Sequence, residues 1–407
     1  MSNYDKIQFI AWELHTGPVP APPPAGESGW YSGLCDPGCD GRTGLLGQCW
    51  DIEARLAFTA DAMARAELLS DRNPSTLKVF MAPELLLRGA GGAYLHALLE
   101  GEQGAAPFAL ALPGPYGRRA GAPFTAGLFG GLRALAAQPA FEHWLFVFGS
   151  AAGAAFPGFR RDGKGVFDTG RPGAIEVATL VQRGGPAHTA HCHVARKHYR
   201  SGAAWLAWNA WAAQPAQDAL APDGLTPAAL AALAPPEALG EAHSAPQFCI
   251  PTLDDGLGSP IAFGIEVGLD HARAGARHAG RLRAAGREVR IQLVPSSGMA
   301  LAPDSVSLLP WRERLPSAYV FHCDGMSNLN GTAGCHTQLA CAGQGAHAAA
   351  LLRLVEASGG RAHEGSELVA LAEALPTSFG PVCARRLWSN GELGGAGRVR
   401  VIAPLAL

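Results

Sequence analysis

The chain has 407 residues, 48% of them hydrophobic, enough for a large core held in one domain or split among several. Lys+Arg 32 against Asp+Glu 34 leaves a formal net charge of -2, which excludes a polyanion-binding surface and with it nucleic acid as a partner. No apolar run reaches membrane-spanning length, and the opening "MSNYDKIQFIAWE" lacks the basic and apolar regions of a secretory leader. The nine cysteines are scattered, so reduced thiols and a cytoplasmic location are expected, with no membrane partner.

In chain order, Lys6–Glu13 reads as a first strand and residues 52–69 as an amphipathic helix. Cys35, Cys39 and Cys49 lie between or just before these elements. Their irregular spacing and the want of a fourth ligand argue for loop cysteines, and no metal is expected. Residues 76–84, "TLKVFMAPE", form a second strand closed by Glu84. Residues 107–123 are rich in Gly and Pro and read as a loop. "HWLFVFGS" (143–150) is a third strand, and "AIEVATLVQ" with "AHCHVARKHY" a hairpin pair that leads to Lys197. Three more strands come in "PIAFGIEV", "VRIQLVPSS" and "AYVFHCDG", and "GRVRVIAP" closes the series. Strands interleaved with helices predict an α/β protein with buried sheets.

Residues 201–246 break that rhythm. Trp205, Trp208 and Trp211 fall on one helical face, followed by Ala/Pro-rich sequence. The segment is either an apolar helix docked on the body or an aromatic lid over a pocket that brings Trp205 and Trp208 to a substrate.

Three strand ends carry the chemistry. Glu84 is a carboxylate at an apolar strand end, suited to structural hydrogen bonding or to base catalysis. Lys197 comes after an alternating apolar stretch. Gly268, in "FGIEVGLDH", ends a strand and opens a helix, a place where a thiol would be activated.

These motifs, "FMAPELLLRG", "ARKHYRSG" and "GIEVGLDH" in that order, resemble those of the nitrilase, or carbon–nitrogen hydrolase, superfamily. "VPSSGM", the "FVFGS" strand and the late "VFHCDG" strand fit the same pattern, from Lys6 to about Gly343. The resemblance implies one domain over residues 1–407, a four-layer αββα sandwich of the nitrilase type, and a homodimer. It implies a small-molecule amide or nitrile as substrate and no cofactor. Glu84 then takes the general-base position and Lys197 the position that stabilises the tetrahedral intermediate. Gly268 stands where the family has its catalytic Cys, so the family's covalent route is closed to this chain. The interval from Lys197 to Gly268 is longer than the family usually shows. The family's second Glu falls within it, at Glu237 or Glu241.

Gly268 is open to three readings: an active-site variant that traps substrate, a natural pseudoenzyme that binds a ligand or partner, or a site where another group does new chemistry. Glu266 shares the strand-face parity of Gly268, yet lies before the turn. Asp270 lies in the first helical turn, as a helix-start residue or a substrate contact. Cys192, Cys249 and Cys323 are candidate displaced nucleophiles. The short basic segment 271–287 reads as a solvated helix or a subunit contact.

Overall fold

The computed structural model describes residues 2–14, 16, 45–89, 93–100, 127–154, 158–161, 164–167, 175–197, 247–274, 289–309, 318–325, 336–342, 349–352, 354–358, 361–364, 367–369, 375–382 and 397–407. Among these, strands outnumber helices and fall mainly into two large sheets of a mixed α/β protein.

The centre of the first sheet is a β–α–β unit. The Lys6–Glu13 strand is followed in chain order by the Leu45–Leu69 helix and then by Thr76–Met81, which pairs parallel with the first strand from Lys6↔Thr76 to Ala11↔Met81. Trp144–Val147 adds a further parallel strand, and Ile175–Arg183 with Cys192–Arg196 forms the expected antiparallel hairpin. On the other side, Arg398–Ile402 closes back onto Lys6–Glu13. The second sheet places Pro260–Ile265, Ile291–Ser296 and Tyr319–Asp324 side by side and parallel, flanked by antiparallel Gln247–Asp255 and Thr337–Ala342.

Strict alternation explains how these sheets stack. Ile7, Phe9, Ala11, Leu77, Val79, Met81, Leu145 and Val147 of the first sheet share one core with Phe263, Ile265, Leu293 and Phe321 of the second. The rings of Phe9 and Phe321 meet across the seam at 4.9 Å. The residues of opposite parity, Ile10, Trp12, Phe80 and Phe146, pack against Phe58, Leu128 and Leu132 of the helices Leu45–Leu69 and Gly127–Ala136. Both faces of the central strands are therefore buried, which is why they read as continuous apolar runs. Each fully buried aromatic or aliphatic side chain contributes roughly 1.5–3 kcal/mol.

On its far face the second sheet buries Val294, Val320 and Ala340 under Leu301, Val306 and Leu308. Among the described residues that face is covered by the 299–309 segment and the six-residue helix Leu269–Ala274.

Several boundaries differ from expectation. The first helix begins at Leu45, seven residues before its amphipathic pattern becomes legible. The second strand ends at Met81, so Glu84 stands on the turn beyond it. The 143–150 strand stops at Val147 and resumes as Ala151–Ala154 after a bend. Gly149 makes the bend, with φ of 66° and a Cβ position that would overlap the Pro83 carbonyl oxygen. Gln247–Asp255 gave no strand signal because Pro251 and the interruption between Cys249 and Asp254, where Thr252 has φ of 70°, break its apolar alternation. Of the basic segment, residues 275–288 lie outside the described residues, as do 107–123 and 201–246.

Candidate active site

Parallel α/β sheets gather loops at the carboxyl ends of their strands, where binding sites form. Here two backbone bonds stitch the carboxyl ends of the two sheets together: Glu84 N–H donates to Ser296 O at 3.1 Å and Thr16 N–H to Gly325 O at 2.9 Å. Within the second sheet, Gly268 N–H donates to Pro295 O at 2.9 Å.

Glu84 is 3% exposed. Its turn is held by Ala82 N–H on Val147 O and by Thr16 Oγ1, which donates to Glu84 O. The next residue, Leu85, has φ of 65° without being glycine, a conformation costing about 1–2 kcal/mol. Ser150 Oγ offsets this by accepting Leu85 N–H at 2.8 Å. Strain of this kind gathers at functional sites. Behind the turn, Arg55 reaches Leu86 O and pairs with Asp51 at 2.6 Å, and Tyr94 OH donates to the same carboxylate at 2.6 Å. Arg88 is also buried. Burial and the neighbouring Arg55 charge pull its guanidinium down to about 10, against the opposing effect of Glu84.

Lys197 leaves the Cys192–Arg196 strand with its backbone N–H on Val177 O at 2.8 Å, and its side chain is 1% exposed. Its ammonium donates to Glu84 Oε1 in a buried ion pair across 113 residues of chain. Among the described residues, Lys197 is the only side chain hydrogen-bonded to the Glu84 carboxylate.

Gly268 completes the group. It caps the elbow between Pro260–Ile265 and Leu269–Ala274 with φ of 52°, and its carbonyl accepts His271 N–H at 2.9 Å. A Cβ on this residue would lie 2.8 Å from Glu84 Cδ and closer still to Oε2. The carboxylate thus rests directly against the bare α-carbon, and any side chain at 268 must displace it. Three positions widely separated in sequence meet at one point.

The remaining sequence candidates fare differently. Glu266 does not share the direction of Gly268. The strand ends at Ile265, the chain turns with positive φ at 268, and the Glu266 carboxylate lies on the far face of its sheet. There it accepts His271 Nδ1–H at 2.6 Å and Gln292 Nε2–H at 3.0 Å. His271 Nε2 in turn accepts Ala302 N–H at 3.1 Å. This network fastens the elbow helix to the sheet. Asp270 is buried in the first turn of that helix.

Cys323 is fully buried, bonded to Trp12 O at 3.5 Å, and its thiol is raised well above the ordinary range by burial and by the Glu13 and Asp324 charges. Such a thiol does not ionise to a nucleophile. Burial likewise pushes Cys49 up to about 12. Cys192 is half-buried and Cys249 exposed. Trp205, Trp208, Trp211, Glu237, Glu241, Cys35 and Cys39 lie outside the described residues. Among the described residues no cluster of His, Cys, Asp and Glu could hold a metal ion, and no helix is long and apolar enough to cross a membrane.

Sequence reasoning missed Thr16, Ser150, Ser296, His322 and Asp324, all buried around these turns. The run of small polar residues in "VPSSG" was the available signal, since Ser beyond an apolar strand commonly bonds nearby backbone. Comparison with models of known protein families and with curated protein sequences finds no match to this chain.

Proposed function

We propose that this chain follows the carbon–nitrogen hydrolase plan, a four-layer αββα sandwich, and that its site takes a small-molecule amide or nitrile. The supporting observation is the meeting of Glu84, Lys197 and residue 268, three positions that share nothing in sequence but their order in that superfamily's motifs. In this reading Glu84 handles the proton and Lys197 faces the oxygen or nitrogen that gains negative charge. With a thiol at 268, its proton passes to Glu84 and sulfur bonds to the carbonyl carbon. The C–N bond then breaks, the amine leaves with the proton, and water releases the acyl group. Glycine offers no atom for the first bond, so by this route the chain as it stands binds without turnover. The placement of Glu84 against the Gly268 α-carbon favours that binding reading, because the carboxylate takes up space a nucleophile would need. A homodimer and a cytoplasmic location belong to the same proposal.

The test is Gly268→Cys, offered a panel of simple amides and nitriles. Ammonia release, or a thioester or thioimidate mass on the intact protein, supports the hydrolase plan. Thermal shifts of the glycine form with the same compounds and no ammonia support binding without turnover. A folded Gly268→Cys that forms no adduct, with no thermal shift in either form, overturns the proposal.

A further inference from the structure

Beside the site lies a second group of chemistry-bearing residues, Ser296, His322 and Asp324, each at most 1% exposed. Their types suggest a hydrolytic triad, but their protons run the wrong way. Asp324 Oδ1 accepts Ser296 Oγ–H at 2.7 Å, Gly298 N–H at 2.7 Å and Met299 N–H at 3.3 Å. The single serine proton is therefore spent on Asp324, and the 2.7 Å contact between Ser296 Oγ and His322 Nε2 requires Nε2–H as donor. A nucleophilic serine needs the reverse, with imidazole as its acceptor. Burial drives His322 down to about 4 against the opposing Asp324 charge, which keeps it neutral.

What this group does is visible in the backbone it grips. Ser296 O accepts the N–H of Glu84 at 3.1 Å and of Gly325 at 2.9 Å, and the preceding Pro295 O accepts Gly268 N–H. Two consecutive carbonyls of one strand end thus hold Glu84 on one side and residue 268 on the other. Pro295 and Ser296 are in turn registered on Cys323 and Asp324. We propose that Asp324, through Ser296 and with His322 as donor, is a positioning residue that sets the spacing between the Glu84 carboxylate and residue 268. The inference rests on the hydrolase reading only in treating that spacing as functional.

A thiol at 268 reports the spacing without any substrate. In the full chain carrying Gly268→Cys, iodoacetamide labelling of the residue-268 peptide, with mass spectrometry across pH, gives that thiol's titration midpoint. Adding Ser296→Ala or Asp324→Asn is expected to move the midpoint by about one pH unit, a tenfold change in labelling rate below it, as the charged pair shifts relative to sulfur. Val320→Ala, which opens a cavity on the same strand while leaving the hydrogen bonds among Ser296, His322 and Asp324 intact, is expected to leave the midpoint in place. Equal midpoints in the parent and the Ser296→Ala form, or an equal shift from Val320→Ala, overturn the proposal. Should Asp324→Asn not fold, Ser296→Ala decides alone, since it keeps every backbone bond. An inert Gly268→Cys whose midpoint still responds to Ser296→Ala would fault the hydrolase reading and keep the clamp.

Discussion

Glu13 and Glu84 invite comparison, because they stand at the carboxyl ends of neighbouring parallel strands and are 2% and 3% exposed. Glu13 is saturated. Its Oε1 accepts Thr337 Oγ1 at 2.8 Å and Arg400 Nε, and its Oε2 accepts Arg398 Nε at 2.7 Å. Phe379 lies against both guanidiniums, 4.0 and 4.4 Å from ring centre to Cζ. Burial raises the Glu13 carboxyl, the two arginines overcome that, and it settles at about 2. Through Thr337 it also ties the first sheet to the second. Glu84 has one side-chain donor among the described residues and a bare α-carbon at its other oxygen. A carboxylate with both oxygens held by three donors is a structural tie, whereas one left with a single donor beside a bare α-carbon is equipped to exchange partners.

The sharpest way to break this contrast is Lys197→Met, which strands the Glu84 charge in the interior. A loss of about 3–5 kcal/mol in urea unfolding is expected, with most of it recovered by Glu84→Gln/Lys197→Met. A loss below about 1 kcal/mol would mean that Glu84 has other partners and is as saturated as Glu13.

The next effect falls on Glu13 and is read from pH. Its folded value of about 2 lies below its ordinary 4.5, so its contribution is present above about pH 4.5 and is lost as pH falls towards 2. That amounts to about 3 kcal/mol, and Glu13→Gln is expected to flatten the stability profile over this window. An unchanged acid limb would remove Glu13 from the saturated class.

The smallest effect belongs to Gly268→Ala. Its positive φ costs about 1–2 kcal/mol, and the methyl group pushes the Glu84 carboxylate off its position. A lowered unfolding midpoint is expected, together with weakened binding of any panel compound that stabilises the glycine form. No change in either would show that Glu84 does not need the bare α-carbon.

Much of this was legible in the chain. Runs such as "KIQFIAWE" and "TLKVFM" announce strands because both their faces are buried, and Glu84, Lys197 and Gly268 stand out as polar or turn residues where such runs end. Gln247–Asp255 was illegible because Pro251 and the register shift between Cys249 and Asp254 break the alternation that announces a strand. For Glu266 the parity with Gly268 was legible but not its direction, because alternation holds only while the strand lasts and the turn after Ile265 redirects the side chains beyond it.

By itself, then, the sequence determined the apolar central strands, the helix that follows the first of them and the order of three chemically distinctive residues, since periodic burial is written into composition. Only the tertiary structure decided that the carboxylate of one meets the ammonium of the second over the α-carbon of the third. It also decided that Ser296 and Asp324 hold that arrangement. The reason is physical. Distances between residues far apart in the chain depend on how two sheets pack and on which carbonyls are free at their edges, and no local pattern carries that information.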